Sequence, residues 1–446
     1  MRFRRIFFIL LVVAVLAGLA LAFVRVRVTP AAEQAVPPGA DAAGYSGAIA
    51  ESASAPSVID YAALDRRLRL LAERPNMVGL AVGIVENGQI RFLQGYGITT
   101  AGTTEPVTPD TVFRWASLSK GVAGDMVGLL AHEEKLSLFD PISRWSHTLR
   151  LPGGAEHRAT VSDVLTHRLG LFGHAQDSKL EDNMDPRYLR SELATLNLIC
   201  APGQCHAYQN VAFDAASEIV ERATGRPFRD VVRDRLFRPL GMTSATMSRA
   251  ELLAAPSWAR PHTGGRTSRP LEVAEAYYRV PAAGGVNSSI KDLALWMRAQ
   301  MGLVPNVLPP EALALIQEPR APTPGENARR RRYRDRIGNA HYGLGWRTYD
   351  YAGNRVVGHH GGVRGYRSLI LFDPQRKTGV VALWNSSASQ PNGIEFEVMD
   401  MLYGLPFHDW MQLDSAPGEA PAVVPMAEPE MTNSSAEIPA NAAQAQ

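Results

Sequence analysis

Ser117 and Lys120 stand three residues apart in Ser117-Leu118-Ser119-Lys120. On a helix such positions share one face, with Cβ atoms about 5–6 Å apart. A serine hydroxyl is a poor nucleophile until a base removes its proton, and a lysine held neutral on the same face can do so. Tyr208-Gln209-Asn210 adds a phenol able to relay a proton and an amide able to grip a substrate carbonyl or N–H. His359-His360-Gly361-Gly362 adds a donor side chain beside two glycines, where backbone can approach a bound molecule closely. A nucleophile, a base, a proton relay and donors are what acyl transfer requires.

Two look-alikes compete with these motifs. Ser288-Ser289-Ile290-Lys291 repeats the Ser-x-x-Lys pattern. Ser289 followed by Asp292 and then by Leu293, Leu295 and Trp296 reads as a capped helix start instead. Lys377-Thr378-Gly379 lies between the apolar runs 368–372 and 380–384, and reads as a hairpin turn.

The elements that must position these residues follow from periodicity. Leu64, Leu68 and Leu71 predict a helix over 59–73. Residues 79–85 and 89–96 flank Glu86-Asn87-Gly88, a hairpin signal. Helices are expected over 117–134, with Val122, Met126, Leu129 and Leu130 inward, and over 212–223, ended by Gly225. Strands are expected near 342–350, 355–359, 366–372 and 380–385, then a helix from Glu395. This order predicts an α/β (α+β) architecture, an antiparallel sheet sandwiched by terminal helices, with a mostly helical region inserted.

Ser-x-x-Lys, Tyr-x-Asn and His-x-Gly, in this order, resemble the signature of class C β-lactamases, their DD-peptidase relatives and related serine esterases. The likeness extends to Val107-Thr108-Pro109-Asp110-Thr111-Val112-Phe113, Pro202-Gly203, Pro239-Leu240-Gly241-Met242, Gly284-Gly285 and Tyr342-Gly343-Leu344-Gly345-Trp346, and spans roughly 59–405. It implies a β-lactamase/transpeptidase-like fold with the site in the cleft between its two parts. It further implies Ser117 as nucleophile, Lys120 as base and Tyr208 as relay. Asn210, His359, Gly361 and Gly362 would meet substrate, with the N–H groups of Ser117 and Gly362 as oxyanion hole. His359 replaces the lysine of class C β-lactamases, and a histidine of ordinary pKa near 6.5 is mostly neutral at pH 7.5. Thr166-His167-Arg168-Leu169-Gly170-Leu171 departs from the relatives' Thr-His-Thr-Ser-Gly-Leu, and His167 reads as a core or turn histidine. The implied activity is that of a DD-carboxypeptidase, an esterase or a weak β-lactamase on an amide or ester substrate. An inactive relative that binds peptidoglycan or a protein partner is the alternative.

The chain has 446 residues, 46% hydrophobic and 20% charged, which suits a globular core. A net charge of +2 argues against nucleic acid as a partner. The dense basic run from Arg329 to Arg336 lies among prolines, glycine and asparagine and reads as a solvated loop. Arg2, Arg4 and Arg5 precede 19 apolar residues, Ile6 to Val24. That matches the roughly 20 residues that span a bilayer and orients the remainder across the inner membrane, periplasmic or outside the cell. Ala20-Leu21-Ala22 leaves signal cleavage as the alternative. Residues 1–28 thus read as anchor or signal, 29–57 as linker, 58–414 as the hydrolase domain and 415–446 as a disordered tail. Cys200 and Cys205 form a disulfide if exported, or remain two thiols. With His206 they supply too few ligands for a metal, and the motifs require no cofactor.

Overall fold

The computed structural model describes residues 56–329 and 331–414. The expectations for 1–28, for the linker up to residue 55 and for 415–446 lie outside the described residues.

Helix α1 (Tyr61–Ala72) starts where the Asp60 carboxylate accepts the Ala63 N–H at 2.8 Å, and buries Leu64, Leu68 and Leu71. Strands β1 (Gly79–Glu86) and β2 (Gln89–Gly97) form the expected hairpin. Its two turn residues, Asn87 and Gly88, both take positive φ, as a two-residue connection demands. Two short strands, β3 (Phe113–Arg114) and β4 (Asn287–Ser288), pair with each other. Between and after them come α2 (Ser119–His132), α3 (Ala215–Thr224), α4 (Ile290–Gln300) and α5 (Pro310–Gln317). The chain then lays down β5 (Ala321–Pro322), β6 (Ile337–Tyr342), β7 (Arg347–Tyr351), β8 (Asn354–Val363), β9 (Tyr366–Asp373) and β10 (Thr378–Trp384), and ends on α6 (Ile394–Tyr403).

The main sheet is antiparallel in the order β2-β1-β10-β9-β8-β7-β6-β5. Strand alternation sends Leu80, Val82 and Ile84 of β1 to one core, with residues of α1 and α6, and Ala81 and Val85 to the other, with α2, α3 and α4. The terminal helices cover one face and the inserted helical region covers the other, which is the β-lactamase/transpeptidase-like arrangement expected.

Two expectations differ in detail. The strand read over 342–350 is the junction of two strands: β6 ends at Tyr342 and β7 begins at Arg347. Gly345 takes φ +75°, and a Cβ there would lie 2.1 Å from the Lys120 carbonyl. A Cβ on Gly124 would likewise lie 1.9 Å from the Leu344 carbonyl. The turn therefore packs backbone to backbone on α2, which only glycine permits. Secondly, part of the basic run is not simply solvated. Arg336 ion-pairs with Asp400 of α6 at 2.7 Å, and Arg332 donates to the Trp410 carbonyl at 2.6 Å.

Candidate active site

The nucleophile candidate sits on a 3-10 turn, Ala116–Leu118, that leads into α2. Ala116 takes φ +49°, an unfavourable value for a residue with a Cβ. Its neighbours hold it there. Ser119 Oγ donates to the Ala116 carbonyl at 2.7 Å and accepts the Val286 N–H at 3.0 Å. Trp115 N–H donates to Val286 at 2.9 Å, and Ser368 Oγ donates to the Trp115 carbonyl at 2.6 Å. Such over-determined strain is characteristic of functional turns. It leaves Ser117 half-buried while its neighbours on the turn are buried.

Lys120 lies in the first turn of α2 and is wholly buried. Its Nζ is 3.3 Å from Ser117 Oγ, 2.6 Å from Asn210 Oδ1 and 2.9 Å from the Ala283 carbonyl. Burial pushes its pKa down to about 7; Asp177 and Asp214 oppose that shift and Arg347 reinforces it. Asp214 also accepts the Ala282 N–H at 3.0 Å, steadying the carbonyl that Lys120 meets next in the chain.

Tyr208 and Asn210 come from the loop before α3. The Lys120 amine stands 4.7 Å from the Tyr208 ring centre. Burial raises the Tyr208 phenol above its usual range, against a hydrogen bond with Ser117 that lowers it. The phenol is therefore protonated at neutral pH. The loop is fixed by the segment 172–177. His174 N–H donates to the Tyr208 carbonyl at 2.7 Å, and the Gln209 side chain donates to the Phe172 carbonyl at 2.6 Å. His167, buried with φ +59°, accepts the Gln209 N–H on Nδ1 at 3.1 Å, 4.3 Å from the Tyr208 ring. It is the turn histidine expected, although its Nε2 has no hydrogen-bond partner among the described residues.

The third motif lies on β8. Strand β7 pairs with β8 only from Asn354 to Gly358, so residues 359–363 extend past β7. A Cβ on Gly361 would stand 2.2 Å from both the Trp115 carbonyl and Ser368 Oγ, and 3.1 Å from the Ser117 nitrogen. The glycine is what lets β8 close on the nucleophile's turn. Gly362 follows, opposite Arg367 of β9. His359 is buried, with Nδ1 2.7 Å from the His360 carbonyl and Nε2 2.8 Å from Tyr342 Oη. The carbonyl can only accept, so Nδ1 carries the proton and Nε2 accepts from the phenol. Burial, reinforced by Arg347 and Lys120, pushes its pKa well below the usual range, and the ring is neutral.

Sequence reasoning missed four members: Arg347, its partner Glu326, Tyr342 and Asp177. Arg347, at the start of β7, is buried, 5.7 Å from the Tyr208 ring centre and 5.2 Å from that of Tyr342, and ion-pairs with Glu326 at 3.0 Å. Tyr342 holds His359. Asp177, 4% exposed, accepts the Asn210 Nδ2–H at 2.6 Å. Of the four, only Arg347 and Tyr342 carried a signal, flanking a Gly-Leu-Gly-Trp turn.

Cys200 and Cys205 are disulfide-bonded. Their loop is clamped beside the site: Gly203 N–H donates to the Arg168 carbonyl at 2.7 Å, and Ala207 N–H to that of His167 at 2.9 Å. The look-alikes fall elsewhere. Ser289 caps α4, accepting from Asp292 N–H, and Lys291 pairs with Asp110 at 3.5 Å. Lys377 and Thr378 close the β9–β10 turn.

A family model described as Beta-lactamase matches residues 64–398. The chain is 28% identical over 337 residues to an unguisins hydrolase of Aspergillus campestris, covering 71% of this chain and 60% of the relative. It is 25% identical over 362 residues to a D-aminopeptidase of Brucella anthropi, covering 78% and 64%. Against the esterase EstB of Burkholderia gladioli it is 31% identical over 213 residues, 43% of this chain and 54% of the relative. The chain thus spans less than two thirds of the length of these curated relatives. In fold it is similar to a penicillin-binding protein homologue from Pyrococcus abyssi, with TM-score 0.69, 23% identity and 78% of each chain covered. It is also similar to a class C β-lactamase, with TM-score 0.62, 20% identity, and 77% and 96% covered.

Proposed function

This chain belongs to the β-lactamase family, and we propose that it is a serine hydrolase that opens an ester or amide through an acyl-enzyme on Ser117. The observation that carries this reading is the set of partners around Lys120. A neutral amine has two N–H donors and one lone pair. Asn210 Oδ1 and the Ala283 carbonyl take the donors, which leaves the lone pair for the Ser117 hydroxyl. Ser117 loses its proton to Lys120 as it attacks the carbonyl carbon. The oxyanion forms at the N–H groups of Ser117 and Gly362, each donor of this kind contributing about 3–4 kcal/mol. The Tyr208 phenol protonates the leaving group and recovers its proton from Lys120. Water then repeats the sequence on the acyl-enzyme.

The substrate is an ester or peptide amide without a free carboxylate next to the scissile bond. Neutral His359 offers no charge to such a group, and the Arg347 cation is already paired with Glu326. A protein that only binds peptidoglycan or a partner has no use for a desolvated lysine at a serine hydroxyl, and no observation favours that reading. The proposal includes export with an N-terminal membrane tether. It is supported by the arginine-flanked apolar run Ile6 to Val24 and by the Cys200–Cys205 disulfide, which suits an oxidising compartment.

The test is to incubate the purified protein with a short-chain nitrophenyl ester, a D-Ala-D-Ala peptide and a fluorescent penicillin, following turnover and mass labelling. Labelling at Ser117 with fastest turnover of the neutral ester is the expected result. Labelling elsewhere, or none, ends the acyl-enzyme reading. Retention in membranes after a high-salt wash supports the tether, whereas a mature N-terminus at Phe23 ends it.

A further inference from the structure

Asp177 touches neither Ser117 nor Lys120, yet it stands one residue away from the base. It begins a short helical turn, Asp177–Glu181, and is buried. Its Oδ2 accepts the Asn210 Nδ2–H at 2.6 Å and faces His174 Nδ1 at 2.8 Å. Its Oδ1 is buried with no hydrogen-bond partner among the described residues, a costly arrangement to keep for packing alone.

A carboxylate can only accept. Asn210 must therefore present its NH2 end to Asp177 and its carbonyl end to Lys120, 2.6 Å away. We propose that Asp177 is a positioning residue for acyl transfer: it fixes which end of the Asn210 amide meets Lys120, and thereby which way the lysine's lone pair points. This rests on the reading of Ser117 as the acylated nucleophile.

The consequence of the opposite orientation is definite. With its amide turned over, Asn210 would offer an N–H donor to Nζ. The amine's lone pair would be drawn to that donor, and an N–H would turn toward Ser117 Oγ. A base pointing an N–H at the hydroxyl cannot take its proton. The two orientations of one amide thus correspond to a working and a disabled base, and Asp177 is the residue that tells them apart. Ala283 cannot substitute, because its carbonyl accepts from Lys120 whichever way Asn210 lies.

Asp177 also acts through its charge. The groups facing Lys120 are Asp177 and Asp214, which raise its pKa, and Arg347, which lowers it. The Tyr208 and Phe213 rings lie over it, 4.7 and 5.4 Å to their centres, and His167 and His359 stay neutral nearby. Acceptor and charge can therefore be separated by substitution. Asp177→Ala removes both. Asp177→Asn removes the charge and keeps an oxygen that can still accept from Asn210.

The test measures kcat/KM for a neutral nitrophenyl ester and the rate of Ser117 labelling by a fluorophosphonate from pH 5.5 to 9.5, in the full chain. Asp177→Ala should lose about 100-fold in kcat with little change in KM, the scale expected when a reacting group is misaligned. Asp177→Asn should recover about tenfold of that loss, because the acceptor returns. In both variants the acid limb should move to lower pH, because an anion that favours the lysine cation is gone. A residue needed only for packing would lower the melting temperature and the active fraction, and leave the limb in place. A limb unmoved in Asp177→Asn, or a plateau rate for folded Asp177→Ala within about threefold of wild type, overturns the proposal. Should the alanine variant not fold, the asparagine variant decides through its limb. Wild-type protein that is not labelled at Ser117 overturns the acyl-enzyme reading instead.

Discussion

Replacing Arg347 with glutamine should move the acid limb of Ser117 acylation in the direction opposite to an Asp177 variant. Only neutral Lys120 can accept the serine proton, so the rate follows the neutral fraction. With the amine near 7, wild-type kcat/KM should rise about tenfold from pH 6 to 8 and then level off. A lysine at its ordinary pKa would keep rising log-linearly beyond pH 9. Lys120 Nζ and Arg347 Cζ lie 4.7 and 5.7 Å from the same Tyr208 ring centre, so the two cations are no more than about 10 Å apart. At an effective dielectric constant of about 20, that separation is worth about 1.7 kcal/mol, or about one pKa unit. Loss of the arginine should carry the limb from about 7 to about 8, with the plateau reached later and not lowered by the charge itself. The uncovered Glu326 acts in the same direction. Because breaking a buried ion pair costs several kcal/mol, Arg347→Gln/Glu326→Gln is the stability control, with a smaller shift of the same sign. The assay is stopped-flow hydrolysis of a neutral nitrophenyl ester across pH, with Ser117 occupancy read by mass. A limb that stays in place or falls would refute Lys120 as the titrating base, or Arg347 as its neighbour in charge.

Other outcomes follow from single contacts. Ser117→Ala should abolish covalent labelling, while Ser288→Ala should keep labelling on Ser117. The latter should lose about 1–3 kcal/mol in denaturant unfolding, because Ser288 Oγ accepts the buried Trp115 Nε1–H at 2.9 Å. Gly361→Ala drives a Cβ into the Trp115 carbonyl; displacement of the nucleophile's turn should cost about 100-fold or more in kcat/KM, and unchanged kinetics would show that β8 can retreat. Cys200→Ser/Cys205→Ser should cost about 2 kcal/mol for so short a loop, measured by urea titration beside a reduced wild-type sample that should match it.

What the sequence could reveal was governed by how local each cause is. The Asn87-Gly88 hairpin, the α1 stripe and the Gly225 helix stop are set within a few residues, and they stand where periodicity and turn chemistry place them. The decoy motifs were separable for the same reason: Ser289 has its capping partner three residues away, and Lys377-Thr378-Gly379 has a strand on either side. The sheet order was not readable strand by strand, since β1 pairs with β10 across most of the chain. Resemblance to a family implied the fold, but not that order. The Tyr342–Trp346 segment was misread because its alternation of aromatic and small residues imitates a strand. Its glycines answer to the Lys120, Ile316 and Glu318 carbonyls, which no window around them contains.

The chemistry divides along the same line. Ser117, Lys120, Tyr208 and Asn210 could be named because each kind of side chain has a restricted repertoire. What they do to one another depends on polarity, and polarity comes from residues that look ordinary in sequence. Asp177 stands in Ala175-Gln176-Asp177-Ser178, where nothing marks it as the acceptor that orients an amide 33 positions away. Arg347 is one arginine among many until β7 begins beside the Tyr208 ring. His359 was readable as a neutral donor by its type, but its proton is on Nδ1 because the His360 carbonyl takes it and the Tyr342 phenol fills the other nitrogen. The same Ser-x-x-Lys pair can be a working nucleophile and base or an inert helix start. The difference lies in whether two acceptors consume the amine's N–H bonds, and at Lys120 they do.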